Sequence, residues 1–201
     1  MMSQHRNTVE QSRAANAIPE QQILDAAYQL LLAVGIGRMS MAEIARRSAV
    51  SRATLYRRWP NVDAVVGALI TREFAQVGDK VLSKRARNAR QAVVDAVMAN
   101  VRAIRDHPLT RKIIEVDPEF LLPYLLERRG TSTNAQLDWL VAALTIRDGS
   151  IRRGNRVAQA RALWLAAWPF ALTAPVMADD GITLDALDRE LRALLDRYLA
   201  P

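Results

Sequence analysis

From residue 19 to the C-terminus, apolar side chains recur at spacings of three and four, and no stretch alternates as a strand would. The pattern predicts an all-α fold of about nine helices. The stripe Ile23, Ala26, Ala27, Leu30, Leu31 and Val34 marks a first helix that opens at Pro19-Glu20 and stops at Gly35. Ser40-Met41-Ala42-Glu43 has the form of a capping box, with the hydroxyl taking a free amide and Glu43 reaching back. Met41, Ile44 and Ala45 then face inward on a short second helix. Ser51 caps a third, residues 52–58, whose inward residue is Leu55. Pro60-Asn61 opens a fourth, in register for about five turns through Val65, Val66, Leu69, Ile70, Phe74, Val77 and Val81.

The later pattern is coarser. Val93, Val97, Val101 and Ile104 mark a fifth helix stopped by Pro108, and two short pieces follow at 109–115 and 118–128. Thr133-Asn134-Ala135-Gln136 resembles a second capping box, opening a helix with Leu137, Leu140, Val141 and Leu144. Val157, Ala160, Trp164, Ala167, Trp168 and Ala171 line another helix, with a bend expected at Pro169. After Thr183 the spacing Leu184, Leu187, Leu191, Leu194, Tyr198 is the a/d seam of packed helices. Such a seam packs either on its own core or on a second copy. Its place at a chain end, after a helix rich in Trp and Ala, favours a dimer interface that includes Val157, Trp164 and Trp168.

Composition narrows the chemistry. The chain has 201 residues and no cysteine, which removes disulfides, thiolate metal sites and a Cys nucleophile. Its two histidines, His5 and His107, leave little basis for a zinc site or a His-dependent triad, so no metal and no cofactor are expected. No paired carboxylates stand at catalytic spacing, and no apolar run approaches the ~18–20 residues of a membrane span. Residues 1–18 are polar, without the apolar run of a signal peptide, and read as a mobile tail; a cytoplasmic protein is expected. The net charge is +7, and residues 131–201 are neutral, so the basic excess lies earlier in the chain. A polyanion partner and a solvated basic face both fit that excess.

Three short helices within about 40 residues, the last two joined by Ser48-Ala49-Val50-Ser51, fit a helix-turn-helix. Val50 and Leu55 anchor the third helix, which turns Arg52, Ala53, Thr54, Tyr56, Arg57 and Arg58 outward. Arginine, threonine and small residues on a short helix suit the major groove. Gly35-Ile36-Gly37 is not a dinucleotide loop, because Ser40 stands where the last glycine belongs and no strand precedes it.

Residues 20–75 resemble the DNA-binding domain of the TetR/AcrR family of transcriptional regulators. The resemblance runs through Ile23-Leu24-Asp25-Ala26-Ala27, Gly35, Ser40-Met41-Ala42-Glu43-Ile44-Ala45, Val50-Ser51, Thr54-Leu55-Tyr56 and Trp59-Pro60-Asn61. It implies a DNA-binding domain over 19–75, continuing into a connecting helix to about 84, and a helical ligand-binding and dimerisation domain over 85–201. It implies phosphate contacts from Ser40, Tyr56 and Arg46 or Arg47, and base contacts from Arg52, Ala53, Thr54 and Arg57 on a helix capped by Ser51. Phe120, Tyr124, Trp139, Trp164 and Trp168 become candidates for an effector pocket, and Arg102 and Arg105 for an anionic effector. Trp59 reads as a plug between helices one and four. Three positions depart from the family: Ala49 replaces a turn glycine, Val62 replaces a phosphate-binding lysine, and Trp59 replaces phenylalanine. The implied protein is a homodimeric repressor on a pseudo-palindromic operator, released by a small molecule. A DNA-binding regulator without a ligand and a small helical enzyme are the alternatives.

Overall fold

The computed structural model describes residues 20–80 and 86–201, and every regular element among them is helical. Expectations for residues 1–18, for the side chains of Val77 and Val81, and for the connecting helix near 84 lie outside the described residues. The helices are α1 (20–34), α2 (Met41–Arg47), α3 (Arg52–Arg58), α4 (Val62–Lys80), α5 (Ala89–Asp106) and α6 (Pro108–Val116). They continue with α7 (Leu122–Leu126), α8 (Thr131–Leu144), α9 (Arg156–Met177) and α10 (Leu184–Leu199), and 3₁₀ turns occupy Ile36–Arg38 and Pro118–Leu121.

The local signals act largely as the sequence implies. Ser40 accepts from the Glu43 amide (3.2 Å), Ser51 from the Thr54 amide (3.1 Å) and Asn61 from the Ala64 amide (2.9 Å). Two caps differ. Glu43 does not reach back to Ser40; its carboxylate is held by Arg46 and Arg47 instead. The helix expected to open at Thr133 begins at Thr131, because Gly130 takes the cap position and no side chain caps it. The helix bearing Pro169 also holds Pro175 and runs from Arg156 to Met177 without interruption.

Two apolar clusters form the interior. The first joins α1, α2, α3 and the first half of α4 through Ile23, Leu31, Ile44, Leu55, Val65 and Leu69. Leu109 and Ile113 of α6 complete it, although they lie far downstream. The second joins Phe74 to α5, α8, α9 and α10. Helix α4 thus runs from one cluster into the other, with Ile70 packed against both. In α10 the inward residues are Asp188, Leu191, Leu195 and Leu199. Leu191 is therefore a core residue of the protomer and not part of an outward seam, whereas Leu194 is 65% exposed.

Candidate nucleic-acid interface and the cavity behind it

The turn between α2 and α3 closes by two backbone bonds, Ala49 N–H to the Arg46 carbonyl (3.3 Å) and Val50 N–H to the Ala45 carbonyl (3.1 Å). Together they form a Schellman motif, which needs a left-handed residue at its centre. Ala49 fills that place with φ +53°, the one positive φ outside glycine among the described residues. A left-handed alanine costs about 1 kcal/mol relative to glycine, the strain that the sequence anticipates at this position.

Helix α3 is fixed from below by fully buried Leu55 and is followed at once by buried Trp59. Its outer surface presents Arg52, Ala53, Tyr56 and Arg57, all exposed, and Thr54 lies partly open beside them. The Thr54 hydroxyl is 2.9 Å from that of Ser51, which ties it to the cap of α3. Arg58 does not belong to this surface: its guanidinium donates to Glu20 (2.7 Å) and ties the end of α3 to the start of α1. On α2, Ser40 is exposed, but Arg46 grips Glu43 with two bonds of 2.6 and 2.8 Å. Hydrogen bonds from Arg46 and Arg47 hold the Glu43 carboxyl down at about 2. Both arginines therefore meet any phosphate as members of a cluster with one negative charge.

Sequence periodicity gave no sign of a contact that joins this surface to the rest of the protein. The buried carboxylate of Asp117 accepts from the amides of Ile36 (2.6 Å) and Gly37 (2.9 Å), the free donors of the 3₁₀ turn between α1 and α2. Gly35 has φ +78°, and a Cβ there would lie 2.6 Å from the Asp117 carboxylate. The Gly35-Ile36-Gly37 run is thus a cradle for a side chain; its signal in the sequence was a pair of glycines without a phosphate-binding context.

Behind the interface lies a cavity of about 370 Å³ between α4, α5, α8 and α9. Trp139, Trp164 and Trp168 line it, as the sequence suggests, together with Phe74, Val101, Ile104 and Leu163, which it did not single out. Trp164 and Trp168 stack at 5.8 Å, and the Trp164 indole donates to Gln136 (3.1 Å). These two tryptophans face the cavity and do not form an outer seam. Phe120 and Tyr124 line an adjoining cleft of about 980 Å³ that also reaches Trp59, Pro60 and Asn61 after α3. Arg102 and Arg105, candidates for an anionic effector, both bind buried Asp188 (2.8 and 2.9 Å) and hold its carboxyl below the usual carboxylate range. Both are tied to the fold by that one carboxylate, which offsets one of their two charges and leaves Arg102 half exposed.

The family model described as bacterial regulatory proteins, tetR family, matches residues 23–69. An uncharacterized HTH-type transcriptional regulator of Mycobacterium tuberculosis strain H37Rv is 33% identical over 179 residues, covering 88% of this chain and 92% of the relative. Among solved structures, the R. erythropolis transcriptional repressor QsdR is similar with a TM-score of 0.67 at 18% identity, over 92% of this chain and 97% of that one. FadR from Bacillus subtilis, in complex with stearoyl-CoA, is similar with a TM-score of 0.59 at 20% identity, over 89% and 98%. At such identities the two solved structures speak for the fold alone.

Proposed function

The chain belongs to the tetR family of bacterial regulatory proteins, and from that premise we propose a homodimeric repressor that reads a pseudo-palindromic operator and leaves it when a small molecule binds. It is a transcriptional regulator, not an enzyme. The observation that carries the finer reading is the pairing of an exposed Arg52, Ala53, Tyr56, Arg57 surface with an aromatic cavity that meets α4 at Thr71 and Phe74.

Base reading falls to Arg52, suited to a bidentate contact with guanine, and to Ala53 and Thr54, suited to a thymine methyl. Arg57 stands with them on the base-reading side, Ser40 and Tyr56 supply hydrogen bonds to the backbone, and Ser51 holds the first turn of α3 in place. Dimerisation is supported by α9, which is apolar nearly all round, a pattern expected only of a helix covered on every side. Yet Val157, Leu165 and Val176 are exposed on one face of it, and Leu194 and part of Leu184 and Leu187 lie open on α10. A second copy covering that face sets two α3 helices about one DNA turn apart, ~34–36 Å or a little more. Tyr198 is only partly open, with Arg152 over its ring at 4.3 Å, and belongs to the margin of that face.

The effector acts through α4. Its first half holds the α1–α3 core, and its second half lines the cavity. A ligand with a few kcal/mol of preference for one placement of α4 is enough to change the fraction of dimers with the right spacing. A cytoplasmic site of action, where the DNA is, follows from this reading; among the described residues no helix is long and apolar enough to cross a membrane.

The test is capture of fragmented genomic DNA by the purified protein at near-physiological salt. Enrichment of one or a few palindromic sites supports the reading. Uniform, salt-sensitive recovery without a motif defeats it, since that is the signature of charge alone.

A further inference from the structure

The aromatic cavity and the cleft beside α3 are continuous. Thr71, Phe74, Ser132, Gln136, Trp164 and Trp168 line both. The two compartments differ in chemistry, and from that difference we infer the class of effector: an elongate amphiphile with an apolar body and an anionic head, bound across both spaces. This inference rests on the cavity being the effector site, as proposed above.

The inner compartment contains no charged side chain, so an ion placed there is left without compensation. At ~30 Å³ for each methylene- or water-sized group, 370 Å³ has room for about a dozen of them. Asn100 is polar within the inner space, and three further polar groups stand where the two spaces meet. The Thr71 hydroxyl donates to the Gly67 carbonyl (2.8 Å), Ser132 offers a hydroxyl, and Gln136 has its carbonyl oxygen taken by Trp164. That leaves the Gln136 NH₂ without a hydrogen bond among the described residues, on a side chain that lines both spaces.

In the outer compartment the charges sort themselves. Arg72 is held by Asp25 and Glu73, and Glu20 by Arg58. Arg128 lies over the Tyr124 ring at 5.4 Å, and neither it nor Arg129 has a carboxylate partner among the described residues. Against these two cations stands one exposed acid, Asp63. Two guanidiniums at the mouth of an apolar slot recognise a phosphate or carboxylate at the end of an apolar chain, because guanidinium bonds to such anions are both directed and strong. The same cleft touches Trp59, Pro60 and Asn61, so a head held there bears on the residues that follow α3. This links the occupant to the DNA-reading helix without a long relay.

The experiment measures quenching of tryptophan fluorescence in the full chain by decyl phosphate and by 1-decanol, below their aggregation limits. Decyl phosphate is expected to bind roughly tenfold or more tightly than decanol. R128Q/R129Q, two exposed positions that leave the fold alone, is expected to erase that advantage while decanol affinity stays unchanged. Equal affinity of the wild-type chain for both probes, or an advantage that survives R128Q/R129Q, overturns the anionic-head assignment and leaves the effector cavity standing. Failure of both probes to bind overturns the effector cavity itself.

Discussion

Removing the carboxylate of Asp117 is expected to loosen the DNA-binding half from the rest of the protein. Asp117 makes two bonds, of 2.6 and 2.9 Å, to the amides of Ile36 and Gly37. Hydrogen bonds to a charged group contribute about 1.5–3 kcal/mol each. The two losses are not equal, because Ile36 is buried and its amide would stay dry, whereas Gly37 is exposed and water can replace the carboxylate. Asp117→Ala is therefore expected to cost about 2–4 kcal/mol, and Asp117→Asn, which keeps one acceptor, about half of that. Urea unfolding at matched protein concentration reads the total. Hydrogen exchange in the native state reads the site: the Ile36 and Gly37 amides should lose protection before those of the α5 interior. Gly35→Ala provides a second arm. Its new Cβ would meet the carboxylate at 2.6 Å and Val116 at 2.8 Å, at a φ of +78°. Combined with Asp117→Ala, the two losses should add to less than their sum, since one clash is already gone. Asp117→Ala within ~0.5 kcal/mol of the wild type, with both amides still protected, would refute the reasoning.

Further outcomes are expected at other sites. Arg52→Ala should weaken specific DNA binding by ~1–3 kcal/mol and relax one base position; an equal loss on random DNA would remove its base-reading role. Ala49→Gly should raise stability by about 1 kcal/mol, because the residue is exposed and its left-handed φ of +53° then carries no Cβ penalty; an unchanged melting temperature would count against that strain. Leu165→Glu with Leu194→Glu, both on the open face, should yield a folded monomer by light scattering, and a retained dimer mass would move the interface elsewhere. Acid should weaken the fold in two stages. Burial lowers the His107 pKa, so its contribution holds above about 6.5 and fades as pH falls through the lowered value. Asp188, lowered by Arg105 and Arg102, contributes above about 4 and loses that contribution as pH falls through its own depressed value. A stability flat from pH 7 to 5 would contradict the first stage, and Asp188→Asn should shrink the second, to which the depressed carboxyls of Glu43 and Asp148 also belong.

The sequence made the exposed face of α3 legible because local rules govern it. Ser40, Ser51 and Gly35 cap where their chemistry says, and Leu55 is the inward residue of α3 because it is the one apolar side chain placed to be so. The α10 seam was harder. Heptad spacing picked out Leu191 with Leu194, but which side of an amphipathic helix meets its own core depends on neighbours far along the chain. Here Asp188, paired with Arg102 and Arg105 of α5, shares the buried face with Leu191, Leu195 and Leu199. The aromatic cavity was half legible: its tryptophans stood out, whereas Gln136 passed for a capping residue. Nothing periodic links Asp117 to Ile36 across 81 positions, and such contacts follow from packing, not from pattern.

That separation also concerns synthesis. The core of the DNA-binding half is closed by Leu109 and Ile113, and its first turn by Asp117. A ribosome adding about 5–20 residues each second needs roughly 4–16 s to go from Ile36 to its carboxylate partner 81 residues later. Throughout that interval the apolar faces of α1 to α4 lack their last cover and are open to chaperones. A helix-turn-helix cut after α4 would remain in that nascent condition. In breeding chimaeric regulators by exchanging DNA-binding halves, α6 and Asp117 must therefore travel with the half they complete.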